Sequence, residues 1–393
     1  MRRVLFIIHT PTFGGPHNQI LRLFSSLREQ GWEYVALLPR EEGDGAKRLR
    51  DIDVEVVQID LHRLRKVWSP AVHWMFLRSL PGEIKALRKV IRERKIDIVQ
   101  VCGVQNPQGA VAARLESVPV VWQLLSTYAP WPVRLLLSPL VWWLADVVMS
   151  TGVTVAQRHP GVVQFAKRWI PFYPPVDTAL FHPDQDRRVR ARAALDVPND
   201  ALLVGTVGNF SRQKAHEYLI EAAALLQKRC SNVFFRIIGR EVWNQRAYYK
   251  KEVIEKANRL GLLQDGRLRF VEGGEQVPSL IAAFDVFVLS SRAEGVPTVA
   301  LEAMSCGIPV VSTRVGAIHE VVEEGNTGFL VPFGDAKVLA DAVERLINDP
   351  YLRAAMGEQA RKRVHEKFSF QRCLEAHMKA YEFALTDGKD KRR

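Results

Sequence analysis

The chain has 393 residues, a formal net charge of +12 and 47% hydrophobic residues. The length exceeds what one hydrophobic core usually serves and the composition is that of a globular protein, so we expect two domains rather than a disordered or membrane-embedded chain. The positive charge suits an anionic partner, which means nucleic acid, an anionic membrane surface or a phosphorylated substrate, and it cannot choose among them.

Short β-branched runs alternate with amphipathic stretches along the whole chain, which predicts parallel sheets covered by helices. In the first half the predicted strands begin at Val4, Tyr34, Val54, Asp97, Pro119 and Asp146. In the second half they begin at Leu202, Val233, Leu268, Asp285, Pro309 and Phe329. Residues 170–188, rich in proline and charge, are predicted to link the halves. We therefore predict an α/β protein of two doubly wound domains with a cleft between them.

Two apolar segments resemble membrane elements only superficially. Residues 4–8 are shorter than the apolar region of a signal peptide and lead into a glycine-rich turn. Residues 131–149 contain Arg134, Asp146 and two prolines, and they fall short of an uninterrupted span of ~20 residues. The four cysteines form no CxxC pair, which predicts buried thiols in a reducing compartment. We expect a cytoplasmic protein.

Ligands of doubly wound sheets bind beyond the carboxyl ends of the strands, so the loops there are the candidate sites. After the first strand, Gly14 and Gly15 would let a ligand approach the backbone, and the next helix offers free N–H groups to an anion. For two glycines alone, a tight turn is the simpler interpretation. His17 and Asn18 lie at the start of the helix, where they would point toward the cleft.

The loop after the strand at Leu202 places Arg212 and Lys214 where a strand ends and a helix begins. A diphosphate bound there would gain cationic contacts and stabilisation by the helix dipole. On these residues alone, two solvated charges on a surface turn are an equally good interpretation.

Two glutamates lie eight positions apart, Glu294 in a loop and Glu302 on a helix that we predict to start at Pro297 or Thr298 and to end near Gly307. The spacing would allow the acid/base pair of a glycosidase. Both carboxylates, however, lie near a helix N-terminus, which favours their ionised form and opposes the raised pKa of a general acid. They fit better as acceptors from ligand hydroxyl groups, and solvated helix charges are the alternative.

Together these stretches resemble retaining glycosyltransferase family 4, the glycosyl transferases group 1, whose signature is two glutamates separated by seven residues. The stretch EGVPTVALE at residues 294–302 matches it and is followed by AMSCGIPVVST. The glycine loop, VDTALFHP from Val176, GNFSRQKAHEYLIEA from Gly208 and GNTGFLVPFGD from Gly325 also match in the expected order. The resemblance implies the GT-B fold, two Rossmann-like domains facing a central cleft, with a C-terminal helix that crosses back to the first domain.

The resemblance further implies transfer of a sugar from a UDP-, GDP- or ADP-linked donor to an acceptor hydroxyl with retention of anomeric configuration. Glu294 corresponds to the glutamate that contacts the donor sugar, Glu302 to the one that binds the ribose, and Lys214 to the diphosphate-binding lysine. The second cation is Arg212 or comes from elsewhere in the chain. The turn between the glutamates implies further donor contacts from Gly295, Val296, Pro297, Thr298 and Val299. Because cationic side chains serve the diphosphate, we expect neither a metal nor another cofactor.

The predicted domains are residues 1–175, which bind the acceptor, and residues 183–367, which bind the nucleotide sugar. Residues 368–385 are predicted to form the crossing helix and residues 386–393 a disordered tail. In the first domain, Gly14 and Gly15 are assigned to the nucleotide sugar, and His17 and Asn18 to a saccharide or lipid-linked acceptor. We expect a role in the synthesis of cell-envelope polysaccharide, lipopolysaccharide or glycolipid.

Three positions depart from the family pattern, and the latter two, in the first domain, support a rival hypothesis. Asn209 replaces an arginine that many relatives have, Leu125 or Ser126 stands where a histidine near the sugar is common, and QVCG at residues 100–103 replaces a His-x-His. The rival is a catalytically silent GT-B subunit that binds carbohydrate or acts as a scaffold. An epimerase is disfavoured, because the glutamate spacing and the Lys214 loop match the transferases.

Residues 61–100 contain ten lysines and arginines against three acids. The aromatic residues interleaved with them are Trp68, Trp74 and Phe76. One hypothesis is a surface that binds an anionic membrane peripherally and admits a lipid-linked acceptor, helped by the apolar segment around Trp142 and Trp143. The commoner alternative is a solvated helix face over an aromatic core. We expect no nucleic-acid partner, because no recognisable binding module accompanies the charge.

Overall fold

The computed structural model describes residues 1–63, 70–127, 131–242 and 245–390. The chain divides into two compact units. Unit 1 consists of Met1–Pro175 together with Phe370–Arg393, and unit 2 consists of Val176–Ser369.

Unit 1 contains a parallel sheet of seven strands in the order β3-β2-β1-β4-β5-β6-β7. Its strands are β1 (Arg2–Ile7), β2 (Trp32–Pro39), β3 (Glu55–Ile59), β4 (Ile98–Cys102), β5 (Val120–Leu124), β6 (Val147–Thr151) and β7 (Trp169–Phe172). Its first six helices are α1 (Gly15–Glu29), α2 (Gly45–Arg50), α3 (Pro70–Glu93), α4 (Gln108–Leu115), α5 (Trp131–Leu144) and α6 (Val153–Gln157), and a 3-10 segment spans Val162–Arg168.

Unit 2 contains a parallel sheet of six strands in the order β10-β9-β8-β11-β12-β13. Its strands are β8 (Leu202–Val207), β9 (Val233–Gly239), β10 (Leu268–Glu272), β11 (Val286–Leu289), β12 (Val310–Thr313) and β13 (Gly328–Val331). Its helices are α7 (Gln185–Ala194), α8 (His216–Arg229), α9 (Arg246–Tyr248), α10 (Glu255–Arg259), α11 (Val277–Ile281), α12 (Thr298–Ser305), α13 (Ile318–Val321), α14 (Ala336–Asn348) and α15 (Pro350–Lys367). A π-helical segment, Tyr249–Ile254, joins α9 to α10, and a 3-10 turn spans Gly274–Gln276.

The strands are apolar on both faces because helices cover both sides of each sheet. All five residues of β4, β5 and β6 are buried, as are all four residues of β11, β12 and β13. Each unit therefore buries a hydrophobic core of its own. The predicted fold class, two doubly wound Rossmann-like α/β domains, is confirmed.

The predicted linker, residues 170–188, needs a correction at both ends. β7 occupies Trp169–Phe172, and α7 begins at Gln185. The strand lies at the edge of the unit 1 sheet beside β6. Pro171 is tolerated there, because an edge strand can lack one ladder donor. Proline content is therefore a poor guide to a linker at a sheet edge.

The last helix, α16 (Phe370–Asp390), belongs to unit 1 although unit 2 precedes it in the chain. It contacts α1, β4, β5, β6 and β7. The predicted disordered tail is corrected in part, because its residues 386–390 are helical, while residues 391–393 lie outside the described residues.

Candidate active site

The strand order places one preferred ligand position in each sheet. Both sheets wind outward in two directions from a first strand, so the order reverses between β1 and β4 in unit 1 and between β8 and β11 in unit 2. Loops that leave neighbouring strands in opposite directions open a crevice at such a switch point. The loops predicted to bind the donor follow β1, β8 and β11, so all three lie at switch points.

The loop after β8 holds Lys214 in a fixed position. A Cβ on Gly208 would lie 3.2 Å from Cε of Lys214, so the glycine leaves room for the aliphatic part of the lysine to cross the backbone. The next residue, Ala215, has φ +49° and ψ +46°, a left-handed conformation that is uncommon for alanine. Strain of this kind persists where the surroundings enforce it, and it clusters at functional sites.

The loop after β11 presents Glu294 to this lysine. The Lys214 ammonium donates to Oε1 of Glu294 at 2.7 Å, and the Ser291 hydroxyl donates to the same oxygen at 2.6 Å. Glu294 is 5% exposed, so its carboxylate is held by charge and by a hydroxyl in a largely buried position. The two residues predicted to contact the sugar and the diphosphate are therefore brought together as one ion pair.

Hydrogen bonds join the two loops along their length. The backbone N–H of Arg292 donates to the carbonyl of Gln213 at 2.8 Å, and the Gln213 side-chain amide donates to the carbonyl of Ala293 at 2.9 Å. Ser290 donates through its hydroxyl to the carbonyl of Lys214 at 3.1 Å. These three bonds hold the two loops together, so the position of the ion pair does not depend on the two charged side chains alone.

A third loop, after β12, supports Glu294 from the other side and was missed in the sequence. Gly316 has φ +58°, and a Cβ at this position would lie 1.9 Å from the carbonyl oxygen of Glu294. The next backbone N–H, that of Ala317, donates to the carbonyl of Gly295 at 3.1 Å. Its sequence offered only a glycine shortly after a predicted strand. Ser291, two residues beyond the end of β11, was an equally common kind of residue in such a place.

The helix after Glu294 begins as the sequence predicted. α12 starts at Thr298 with Pro297 as its N-cap, and Gly307 follows its end with φ +75°. Glu302 lies in the second turn and is 4% exposed. Glu302 is the fifth residue of this eight-residue helix, so its carboxylate lies beyond the first turn, where the field of the helix N-terminus is strongest, and it is withdrawn from water. The alternative of a solvated helix charge is therefore wrong for Glu302.

Arg212 has a different neighbourhood from Lys214. Its side chain is exposed, and its guanidinium lies 4.8 Å from the ring centroid of Tyr248. The Tyr248 hydroxyl donates to Glu217, whose other carboxylate oxygen is paired with Arg292. Arg212 thus belongs to an aromatic and ionic cluster that borders α8, whereas Lys214 is committed to Glu294.

One buried histidine stands beside the ion pair. His216, the first residue of α8, is fully buried, and its ring packs edge-on against Phe210. Burial, with a smaller contribution from the positive charge of Lys214, lowers the pKa of His216 to about 3. The imidazole is therefore neutral at physiological pH, so His216 adds no positive charge beside Lys214.

In unit 1 the glycines after β1 leave the backbone open. A Cβ on Gly15 would meet no other described atom within 4 Å, and one on Gly14 would meet only the carbonyl oxygen of Thr12 at 4.0 Å. Gly14 has extended backbone angles, so its conformation does not require glycine. Neither local packing nor backbone strain therefore explains these glycines, whereas close approach of a ligand would.

His17 is not directed outward as predicted. It is fully buried, and its Nδ1 accepts the backbone N–H of Gly14 at 3.2 Å, which caps the start of α1. Gly45 packs against the ring so closely that a Cβ there would lie 2.5 Å from Nε2. Burial lowers the pKa of His17 to about 4. Asn18, the other acceptor-side candidate, is partly buried on the first turn of α1.

In unit 1, residues at the positions that depart from the family pattern form hydrogen bonds or pack within the interior of the unit. Gln100 is buried and accepts through Oε1 from the hydroxyl of Tyr381 on α16. The carbonyl of Cys102 accepts from Nδ1 of His9 at 3.0 Å. Leu125 packs against the hydrophobic core. Within the described residues, no three His, Cys, Asp or Glu side chains are grouped so that they could hold a metal ion.

Two family models match the chain. The model described as "Glycosyl transferases group 1" matches residues 188–363, and the model described as "Glycosyl transferase 4-like domain" matches residues 14–196. The chain belongs to the group 1 glycosyl transferases. The resemblance stated from the glutamate spacing is thereby confirmed.

Individual relatives agree with this family membership. The chain is 32% identical over 215 residues to the D-inositol 3-phosphate glycosyltransferase of Saccharomonospora viridis, covering 54% of this chain and 49% of that protein. It is 31% identical over 193 residues to the capsular polysaccharide biosynthesis glycosyltransferase CapM of Staphylococcus aureus, covering 49% of each. The matches thus span about half the length of these relatives.

A solved structure shares the fold of this group 1 glycosyl transferase along nearly its whole length. HepE of Anabaena, crystallised in complex with UDP-glucose, aligns with a TM-score of 0.78 at 21% sequence identity. The alignment covers 99% of this chain and 100% of HepE. At this identity the likeness shows the GT-B fold, which the sequence predicted.

Proposed function

We propose that this group 1 glycosyl transferase moves a sugar from a UDP-linked donor to an acceptor hydroxyl with retention of anomeric configuration, in polysaccharide or glycolipid synthesis. The observation that carries the proposal is the partly buried Lys214–Glu294 ion pair at the switch point of unit 2, directly before the N-terminus of α12. A cation and a helix N-terminus favour binding of the diphosphate of a nucleotide sugar, and a carboxylate beside them can accept hydrogen bonds from its hydroxyl groups.

The electrostatics suit a reaction in which the leaving group gathers negative charge. As the acceptor oxygen bonds to the anomeric carbon, the bond from that carbon to the diphosphate oxygen breaks, and the hydroxyl proton passes to the departing phosphate. Lys214 and the N–H groups at the start of α12 would stabilise that charge more in the transition state than in the bound donor. Because the phosphate accepts the proton, no nucleophile or base is needed from the protein.

The two glutamates take different parts in this proposal. Glu294, fixed by Ser291 and Lys214, would accept hydrogen bonds from hydroxyls of the donor sugar, while Glu302 on α12 would hold the ribose. The residues between them, Gly295 to Val299, would place backbone groups on the distal phosphate, except that Pro297 has no N–H to offer. Arg212 would reach the diphosphate only by leaving the ring of Tyr248.

The choice of UDP is supported by HepE, which was crystallised with UDP-glucose. The two relatives, a D-inositol 3-phosphate glycosyltransferase and a capsular polysaccharide biosynthesis glycosyltransferase, support a hydroxylated acceptor. Gly14 and Gly15 would admit the nucleotide sugar to the open backbone at the start of α1. Asn18 stays the acceptor-side candidate of this loop, and His17 would act through the backbone that it caps. The silent-subunit hypothesis is not favoured, since the relatives are named as transferases.

The test measures release of nucleoside diphosphate from UDP-, GDP- and ADP-sugars, each with a panel of sugar and lipid-linked acceptors. We expect UDP release above the rate of hydrolysis with at least one acceptor, an unchanged rate in the presence of a chelator, and a product with the donor's anomeric configuration by NMR. Binding of UDP-sugars without turnover for any acceptor would instead support a silent subunit. An inverted product would contradict the proposed stereochemistry while leaving the donor class intact.

A further inference from the structure

Helix α5 of unit 1 exposes an unusual face. Seven of its fourteen residues are exposed, and all seven are apolar or proline. We call them the α5 apolar face: Trp131, Pro132, Leu135, Leu136, Pro139, Trp142 and Trp143. At 3.6 residues per turn they fall within a sector of about 140°. Leu137, Ser138 and Val141 lie on the opposite side and are buried. A surface helix normally shows the reverse pattern, with polar residues outward.

The size of this face makes it more than a scatter of surface residues. Trp143 is 83% exposed and Leu136 is 75% exposed. Single exposed apolar side chains are ordinary, but a contiguous apolar strip with three tryptophans marks a contact surface. The polar edge of an indole ring and its apolar body suit a boundary between water and hydrocarbon.

The charges beside the face have one sign. Residues 125–176 contain four cations, Arg134, Arg158, Lys167 and Arg168, and a single acid, Asp146. Asp146 is buried and bound to Arg114.

The cations stand next to the face. The Trp142 ring lies edge-on to Phe165, with centroids 6.2 Å apart, and the guanidinium of Arg168 lies 4.6 Å from the Phe165 ring centroid. Arg134, on α5 itself, donates to the backbone carbonyl of Arg158.

We propose that the α5 apolar face docks this protein onto the interface of an anionic phospholipid bilayer, with Arg158, Lys167 and Arg168 contacting the headgroups. A helix of this composition with cations at its edge can lie in the headgroup region with its apolar side chains in the acyl boundary. At 1.5 Å per residue, α5 is about 21 Å long and cannot cross a hydrocarbon core of ~30 Å. Among the described helices, none is long and apolar enough to span a membrane.

A second copy of the chain fits this face less well. A two-fold contact would place the same cations of both copies against each other, and the one acid nearby is buried and already paired. An anionic bilayer offers apolar and anionic groups together, so it can contact both the apolar side chains of α5 and the cations beside them.

The structure favours the α5 apolar face as the membrane-binding surface over the basic stretch, residues 61–100, that the sequence suggested. Within residues 61–100, Arg88 and Arg92 are both paired with Glu116, at 2.5 and 2.6 Å, and Lys89 is paired with Glu93. Trp68 lies outside the described residues. Trp74 is exposed at the start of α3, but Phe76 is buried. Much of that positive charge is therefore neutralised within the protein, unlike the charge beside α5.

The test is flotation of the full-length protein with vesicles of phosphatidylcholine alone, or with about 30% phosphatidylglycerol. We expect binding to the anionic vesicles only, weakened by salt at about 0.5 M. The double variant Leu136→Ser/Trp143→Ser should bind at least about tenfold more weakly, because two large apolar side chains no longer enter the boundary. Its matched control, Leu260→Ser/Tyr351→Ser, removes exposed apolar side chains from unit 2 and should bind as the wild type does.

A second pair of variants tests the headgroup contact. Arg158→Glu/Lys167→Glu should lose binding to anionic vesicles, while Lys250→Glu/Lys251→Glu, with the same change of charge in unit 2, should retain most of it. All the substituted side chains are exposed, so unchanged thermal unfolding will verify folding. The proposal is overturned if the wild type ignores anionic vesicles, or if the α5 variants bind as well as their controls. It is equally overturned if sedimentation shows a dimer that the Leu136→Ser/Trp143→Ser variant abolishes while vesicles remain unbound.

Discussion

At the scale of single residues, the two glutamates have different surroundings, so substitution of each should change a different kinetic constant. Glu294→Gln removes the charge that holds Lys214, and we expect kcat to fall by about 100-fold, because the lysine and the sugar contact both lose their fixed position. Glu302→Gln lies on α12 and should mainly raise KM for the donor, by about tenfold. Steady-state kinetics with the nucleotide sugar that supports turnover will separate the effect on kcat from the effect on KM.

The control for this comparison is Glu255→Gln, an exposed glutamate of α10 in the same unit, which should change neither constant. Similar losses of kcat in both site variants would contradict the division of roles. Thermal unfolding of Glu294→Gln should be recorded alongside, since its amide leaves the partly buried ammonium of Lys214 without its counter-charge.

The sequence indicated the charged residues of this site but not the contacts that fix them. Glu294, Glu302 and Lys214 could be found because their spacing and their order in the chain match the pattern of a known family. Ser291 and Gly316 were missed, because a serine and a glycine are common at strand ends and only the folded geometry shows what they touch. His17 was misjudged, since a residue at a helix start can turn back to cap the helix as easily as point outward.

At the scale of an element, α16 completes the core of unit 1 through a buried polar hub. Nε2 of His377 accepts from the side-chain amides of Gln19 on α1 and Gln123 on β5, and Nδ1 donates to the carbonyl of Cys373. His377→Ala would leave two buried amide donors and a cavity. We expect the free energy of unfolding of unit 1 to fall by about 3 kcal/mol, measured by urea denaturation.

Lys379→Ala is the matched control, because it removes an exposed side chain from the same helix and should cost less than about 0.5 kcal/mol. A His377→Ala variant as stable as this control would show that α16 is held by its apolar contacts alone.

The periodicity of the sequence predicted twelve of the thirteen strands in the described part of the chain, and it predicted the last helix. It did not predict which residues α16 contacts or that the helix extends to Asp390. β7 was missed because four residues with a proline carry too weak a pattern, whereas its pairing with β6 needs the whole sheet. The polar hub of His377 is also invisible in sequence, since its members come from residues more than 250 positions apart.

At the scale of the whole molecule, the two units differ in how many buried neutral histidines they carry. Among the histidines that the structure describes, those of unit 1 with a lowered pKa are His9, His17, His159 and His377. Burial is the main cause in each case and lowers the pKa to about 4. Unit 2 has one such residue, His216, with a pKa of about 3. A fall in pH should therefore destabilise unit 1 more than unit 2.

The sign of the effect follows from the proton balance. An unfolded histidine has a pKa near 6.5, so between about pH 6.5 and 4 the unfolded chain binds protons that the folded chain refuses, and stability falls as the pH falls. At pH 5 each of these histidines should lower the free energy of unfolding of its unit by roughly 2 kcal/mol relative to pH 7.

Calorimetry between pH 7 and 5 measures this difference between the units. The transition of unit 1, identified by its shift in His377→Ala, should move to a lower temperature by more than the transition of unit 2 does. His365→Gln, at an exposed position, should leave this slope unchanged. Equal shifts of both transitions, or none, would contradict the assignment of the buried neutral histidines to unit 1.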